Sequence, residues 1–236
     1  MEPIKIEHGS IKMIAHRGAG KVWVENSLPA FRNASKCSYW GIETDIHVTK
    51  DGNYIIIHDD TTDRVTGEHY VVEETDFETL RNLRLLGLEG DDARLPTLEE
   101  YISVCKEGGK YSVLELKNYM PEENIKEIME KIDAMGYLDH TVFISFSHRN
   151  IMALHKLAPE QPKQYLIGSK NADECLQKTS EFPVDIDTDH RIMSKDLADE
   201  IHAMGHEVNV WTVNTKEAAD TMIAAGVDYI TTDIFE

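Results

Sequence analysis

A closed (β/α)8 barrel with a small insertion after its second strand is the fold this sequence predicts, and three observations predict it. Eight short, mostly apolar runs with strand character recur along the 236 residues, at 12–16, 41–47, 111–116, 141–146, 163–168, 183–187, 207–212 and 228–232. Seven intervening segments can each hold a helix, and after the eighth run the final helix is missing or very short. In the second half one order repeats: Ala134-Met135-Gly136 precedes Thr141–Ser145, Ala203-Met204-Gly205 precedes Glu207–Trp211, and Ala224-Ala225-Gly226 precedes Val227–Thr231. Glycine just past a helix end can take the left-handed conformation that stops it, after which the chain enters a buried strand. Alternating strands and helices with apolar strands imply a parallel sheet with right-handed crossovers. Eight such units in this length favour a closed barrel over an open doubly wound sheet.

The elements follow in order. The first strand closes on His16-Arg17-Gly18-Ala19-Gly20, which lacks the third glycine and the downstream ribose-binding acid of a dinucleotide turn. The second strand leads to the turn Lys50-Asp51-Gly52, an extra strand at 53–58, and a polar stretch carrying Gly67, Gly87 and Gly90. Residues 48–96 are thus an excursion from the top of the second strand within a single domain spanning 1–236. Thr97-Leu98-Glu99-Glu100 fits a capping box, Pro121 suits a first helical turn, and Ser194 and Thr215 are placed to cap helices.

Composition narrows the function classes. Hydrophobic content of 41% and charged content of 28% are those of an ordinary globule, and folding would bury roughly 70–75% of the unfolded surface. A net charge of −19 and a sequence pI near 4.9 argue against a nucleic-acid or anionic-membrane surface. Cys37, Cys105 and Cys175 lack metal-ligand spacing and read as reduced packing residues. No apolar run is long enough to span a bilayer, and Met1–Ser10 has no signal-peptide core. A soluble cytoplasmic protein without integral membrane association is expected.

The chemistry-bearing residues gather at strand ends, where a barrel keeps its active site. His16 and His58 each close an apolar run, and Glu43 and Asp45 share one face of the strand between them. Glu115 and Lys117 end the third strand. Three carboxylates at neighbouring strand ends suit a hard cation such as Ca²⁺ or Mg²⁺. Arg17 can present a planar fork to phosphate oxygens. Two imidazoles, a fixed cation and a paired carboxylate site are the parts needed to move protons around a phosphate held on a divalent metal. His47 lies on the face of Glu43 and Asp45, one step nearer the mouth, and is read as a polar rim residue with substrate contact as the alternative. Asp185, Asp187 and Asp189 also alternate, but the first cluster already supplies enough metal ligands.

These residues carry a resemblance. His16-Arg17-Gly18, Glu25-Asn26-Ser27-Leu28-Pro29-Ala30-Phe31, Gly41-Ile42-Glu43-Thr44-Asp45 and Thr49-Lys50-Asp51-Gly52 through His58-Asp59 resemble the glycerophosphodiester phosphodiesterases. So do Leu95–Glu100, Leu114-Glu115-Leu116-Lys117, Ser145-Phe146, Trp211-Thr212-Val213-Asn214 and Gly226–Asp233, in order along nearly the whole chain. Ser27 stands where threonine is commoner and keeps the hydroxyl. The resemblance implies a TIM barrel with a small insertion after the second strand. It implies one divalent metal ion on Glu43, Asp45 and Glu115, general acid and base roles for His16 and His58, and phosphate contacts from Arg17 and Lys117. His47, Phe146 and Trp211 are candidates for the substrate pocket. The implied reaction cleaves a small-molecule glycerophosphodiester to an alcohol and glycerol 3-phosphate. The family's likeness to phospholipases C points to the substrate's own glycerol hydroxyl as nucleophile. The nearest rivals are a related barrel acting on lysophospholipids or phosphoinositides, and a non-catalytic binder of phosphorylated metabolites.

Overall fold

In the computed structural model, which describes residues 2–168, 180 and 183–236, nine strands form one sheet. They are β1 (Lys12–Ala15), β2 (Gly41–Val48), β3 (Tyr54–Ile56), β4 (Tyr111–Leu116), β5 (Thr141–Ser145), β6 (Lys163–Ile167), β7 (Asp185–Asp189), β8 (Val208–Trp211) and β9 (Tyr229–Thr232). All pairings are parallel except that of β2 with β3, and β1 pairs with both β2 and β9, which closes the barrel. The described helices are α1 (Leu28–Ala34), α2 (Asp63–Thr66), α3 (Phe77–Asn82), α4 (Leu98–Gly108), α5 (Glu122–Ala134), α6 (His148–Leu157), α7 (Lys195–Ala203) and α8 (Lys216–Ala225). Among the described residues no helix follows β9. The helix-compatible segment between β6 and β7, with Cys175, lies outside the described residues. None of the described helices is long and apolar enough to cross a membrane.

Alternation along the strands sorts the apolar residues into two layers. Met13, Ile42, Leu114, Phe143, Ile186, Val210 and Ile230 point outward and pack with helix residues such as Phe31, Tyr101, Ile128, Ile151 and Ile201. Ile14, Val113, Val142, Ile144, Leu166 and Tyr229 form a separate interior cluster. Removing such side chains from water is the main stabilising contribution, on the order of 1.5–3 kcal/mol for each large one.

The excursion has a core of its own, formed by Ile55, Ile57, Val72, Leu80, Leu83, Leu85 and Leu95. β3 joins the two cores. Ile56 packs with the barrel layer while Ile55 and Ile57 pack with the excursion, as strand alternation requires. Because β3 runs antiparallel to β2, the hairpin returns the chain toward the barrel, and Ile57 donates its N–H to the Asp45 carbonyl at 3.2 Å. His58 is the next residue.

The seventh strand begins two residues later than the run 183–187 suggests. Pro183 has no N–H to give a ladder, which disfavours starting the strand there. A shift of two keeps every side chain on its expected face.

The caps expected at Thr97, Ser194 and Thr215 form, and Ser27, for which no cap was expected, adds a fourth. Ser27, Thr97, Ser194 and Thr215 each accept a backbone N–H at a helix start, and Thr97 with Glu100 forms the full capping box. Pro121 sits at the cap position itself, one residue before α5. Loss of one such cap costs about 1 kcal/mol. Thr97→Ala should therefore lower unfolding stability by about that amount in urea titration, with kcat unchanged, since α4 carries no residue of the site described below.

Candidate active site

The site starts from register. Asp45 on β2 lies directly opposite Glu115 on β4, and Glu43 is two residues earlier on the same interior face of β2. All three side chains are buried, and a set of ligand oxygens, one from each, lies within 4.8 Å of one another. Among the described residues this is the one such group with metal-ligand potential.

Such a concentration of negative charge needs compensation. Lys117 Nζ lies 3.0 Å from Glu115 Oε1 and 3.4 Å from Asp45 Oδ1. Arg17 donates its backbone N–H to Glu43 Oε2 at 2.8 Å, and its Nε lies 3.7 Å from Asp45 Oδ2. Asn26 donates Nδ2 to Asp45 Oδ2 at 2.8 Å and accepts from Thr44 Oγ1 at 2.7 Å. Burial and the neighbouring Asp45 push Glu43 well above the usual carboxylate range. Burial, then Asp45, likewise raises Glu115 against the pull of Lys117. For Asp45 burial acts in the same sense, but Lys117 and Arg17 outweigh it and hold the carboxylate below its ordinary value. Asp45 Oδ1 is left buried without a hydrogen-bond partner.

The loop after β1 is built for this contact. Arg17 has φ 50° and ψ 33°, a left-handed conformation unusual for a side chain of its kind. Its N–H bond to Glu43, and its carbonyl's bond from Asn26 N–H at 3.0 Å, hold it there. Gly18 follows with φ +76°, and a Cβ at that position would meet Ala30 Cβ and Phe31 Cδ1 at 3.0 Å. Only glycine lets this turn press onto α1.

Each of the two histidines has a carboxylate behind it. His16 Nδ1 lies 2.8 Å from Asp233 Oδ1, and Asn214 Nδ2 donates to Asp233 Oδ2 at 2.6 Å. His58 Nδ1 lies 2.6 Å from Asp59 Oδ1, and Arg64 Nε donates to Asp59 Oδ2 at 2.6 Å. Carboxylates only accept, so Nδ1 carries the hydrogen in both rings and Nε2 is left to act. Arg64 also grips Glu25 with both terminal nitrogens, at 2.7 and 2.8 Å, and Glu25 accepts from Arg17 at 3.1 Å. A charge chain thus runs from His58 through Asp59, Arg64 and Glu25 to Arg17. Burial, with Lys117 and Arg17 nearby, holds the His58 pKa below the ordinary imidazole value despite the attraction of Asp45.

One cavity of about 170 Å³ collects these parts. His16, Arg17, Glu43, His58 and Glu115 line it with Ile144, Phe146, Leu166, Asp187, Trp211, Thr212 and Thr231. Phe146 meets Trp211 edge to face, with ring centroids 5.6 Å apart, and is 47% exposed at the mouth.

A family model of the glycerophosphoryl diester phosphodiesterases matches residues 16–236. The chain belongs to that family. Its relatives include a glycerophosphodiester phosphodiesterase of Caldanaerobacter subterraneus subsp. tengcongensis, 28% identical over 226 residues that cover 94% of this chain and 93% of the relative. A glycerophosphodiester phosphodiesterase structure from Parabacteroides distasonis superimposes with TM-score 0.75 at 25% identity, covering 99% and 94% of the two chains. A phosphodiesterase from Oleispira antarctica, solved with sn-glycerol-3-phosphate, gives 0.79 at 24% identity, covering 94% and 92%.

Within this family member, the residues singled out in the sequence fall into three groups. His16, Arg17, Glu43, His58, Glu115, Phe146 and Trp211 all line the cavity. Asp45 and Lys117 stand behind it, in contact with its carboxylates. His47 is neither a rim residue nor a lining one. Its side chain is 0% exposed and sits behind the hairpin, with Nε2 3.4 Å from the His58 carbonyl and Nδ1 3.4 Å from Glu73 Oε1. The reason is that β3 and the excursion fold over that part of β2. The aspartates of β7 do not converge: Asp189 is taken by Arg191, and Asp185 accepts the Glu207 N–H at 2.9 Å. Sequence reasoning gave no role to Asn26, Glu25, Asp59, Arg64, Asn214 or Asp233. Several of them stand in the quoted motifs, which was the available signal.

Burial depresses the pKa of His47 as well as that of His58. The unfolded chain then binds protons first as the pH falls below about 6.5, so folding stability is present above that pH and is lost below it. Between about pH 7.5 and 5.5 the fall in Tm should be smaller in His47→Gln than in the parent, by roughly 2–4 °C for each 1 kcal/mol of linkage removed. An unchanged fall would mean that folded His47 takes up a proton freely.

Proposed function

We propose that this chain hydrolyses glycerophosphodiesters to an alcohol and glycerol 3-phosphate, using His16 and His58 as general acid and base. The observation that carries the reading is the pairing of each imidazole with its own carboxylate at one cavity, beside the acidic cluster. An in-line displacement at phosphorus needs a base at the entering oxygen and an acid at the leaving one. One imidazole takes the proton of the attacking glycerol hydroxyl while the other gives a proton to the departing alcohol, and water then opens the resulting cyclic phosphate to glycerol 3-phosphate with the two imidazoles in exchanged roles. Asp233 and Asp59 fix both rings through Nδ1, so both Nε2 atoms serve the substrate. Arg17 and Lys117 supply positive charge for the phosphate in an otherwise acidic protein.

Glu43, Asp45 and Glu115 fit a divalent ion. They are three hard oxygen donors within reach of one another, and Asp45 Oδ1 is buried without a hydrogen bond. These residues would hold Ca²⁺ or Mg²⁺, which would supply positive charge to neutralise the phosphate. Free Cys37 and Cys105 support a reducing compartment, and we place the reaction in the cytoplasm.

Chelation should abolish cleavage of glycerophosphocholine and related diesters, with Mg²⁺, Ca²⁺ or Mn²⁺ restoring it. Full activity in metal-stripped protein would sink the metal assignment. Replacing either histidine with Ala should lower kcat by roughly 10²-fold or more while calorimetry still detects metal binding. The double variant should be little worse than the poorer single one, and the parent should show a bell-shaped pH–rate profile that belongs to the pair. Near-normal kcat in His58→Ala would remove His58 from the chemistry.

A further inference from the structure

The cavity holds one carboxyl that this chemistry leaves unused. Asp187, the middle residue of β7, is 1% exposed and lines the cavity with Glu115, Leu166, Trp211 and Thr231. Its Oδ1 is buried and has no hydrogen-bond partner. Its two register neighbours supply none. Asn209, opposite it on β8, donates Nδ2 to Gln164 Oε1 at 3.0 Å and accepts from Thr231 Oγ1 at 3.1 Å. On the other side the register partner is Leu166, which has nothing to offer. An acid buried in this way weakens the fold, because it gave up its water and gained no partner. Stability does not explain it. A ligand group placed in the cavity does.

We propose that Asp187 is a specificity residue that hydrogen-bonds a hydroxyl on the glycerol half of the substrate, a reading that rests on the phosphodiesterase function above. A hydroxyl both donates and accepts, so it satisfies the carboxyl whether or not that group carries its proton. An ammonium head group would need a charged carboxylate beside Glu115 and would face the apolar wall of Ile144 and Leu166. The glycerol half is small and constant, as an enclosed floor requires. The leaving alcohol varies in size and belongs on the open side marked by Phe146. A site built to hydrogen-bond a substrate hydroxyl rejects analogues that lack it far more strongly than an apolar pocket rejects a missing methylene.

The test uses metal-loaded protein and two probes, glycerol 3-phosphate and inorganic phosphate, with affinities measured by calorimetry in the parent, Asp187→Leu and Asp187→Asn. Asp187→Leu should weaken glycerol 3-phosphate roughly 10- to 100-fold, the cost of one lost hydrogen bond to an acidic group, with phosphate affinity within about twofold of the parent. Asp187→Asn should lose less. Equal weakening of the two probes, or of neither, would overturn the proposal. So would intact glycerol 3-phosphate binding with a loss confined to glycerophosphoglycerol against glycerophosphocholine, which would put the contact on the leaving alcohol. Asp187→Leu should also melt at or above the parent temperature, and a lower Tm with parallel loss of both probes would make Asp187 structural. A parent that cleaves no phosphodiester with any metal and binds neither probe would overturn both readings.

Discussion

Three carboxylates packed at one end of a barrel interior set the terms for everything around them. Glu43, Asp45 and Glu115 are placed by strand register, and no rearrangement short of slipping β2 against β4 separates them. Their repulsion is met by Lys117, by both the backbone and the guanidinium of Arg17, and by the Asn26 amide. The left-handed backbone at Arg17 and the Cβ-free Gly18 then follow from the need to bring an N–H to Glu43. Removing one compensating group would leave buried charge unpaired, which is why such a cluster tolerates change poorly.

The second arrangement the site relies on is mechanical. His58 does not belong to the barrel; it hangs on a hairpin that leaves β2 and comes back. What makes this precarious attachment stiff is that β3 buries one face in each of two cores. His47 adds a buried link beneath the hairpin, and the Asp59–Arg64–Glu25–Arg17 chain ties the segment just past β3 to the loop after β1. The two histidines come from different layers and are held to one another by ion pairs across the mouth.

Much of this was legible in the sequence, for identifiable reasons. Strand period and helix punctuation are local signals, so β1, β2, β4, β5 and β9 and the caps at Thr97, Ser194 and Thr215 stood where expected. Glu43 and Asp45 could be placed on one face because a strand alternates. The burial of His47 could not, because it depends on what the excursion lays over β2, and that is decided by tertiary packing. The partners of the two histidines were hidden for different reasons. Asp59 is adjacent in sequence, but nothing local says it points at the ring. Asp233 is 217 residues from His16, a separation no short-range pattern spans. Asp187 was visible only as part of an alternating acidic run; its isolation appears once Asn209 and Gln164 are seen to bond each other.

That long separation has a further consequence. His16 lies on the first strand and the carboxylate that orients it lies just past the last, and the two meet only because β1 pairs with β9. The bridge between Ile4 and Phe235 and the bond from Ser38 N–H to Glu236 fasten the same seam. A chain emerging from the ribosome can assemble its carboxylate cluster as soon as β4 is made, yet it has no oriented His16 until residue 233 arrives. The pairing proposed for catalysis is therefore complete only once β9 and Asp233 have been made. A partly made barrel can gather charge but lacks the oriented pair of imidazoles proposed above to transfer protons.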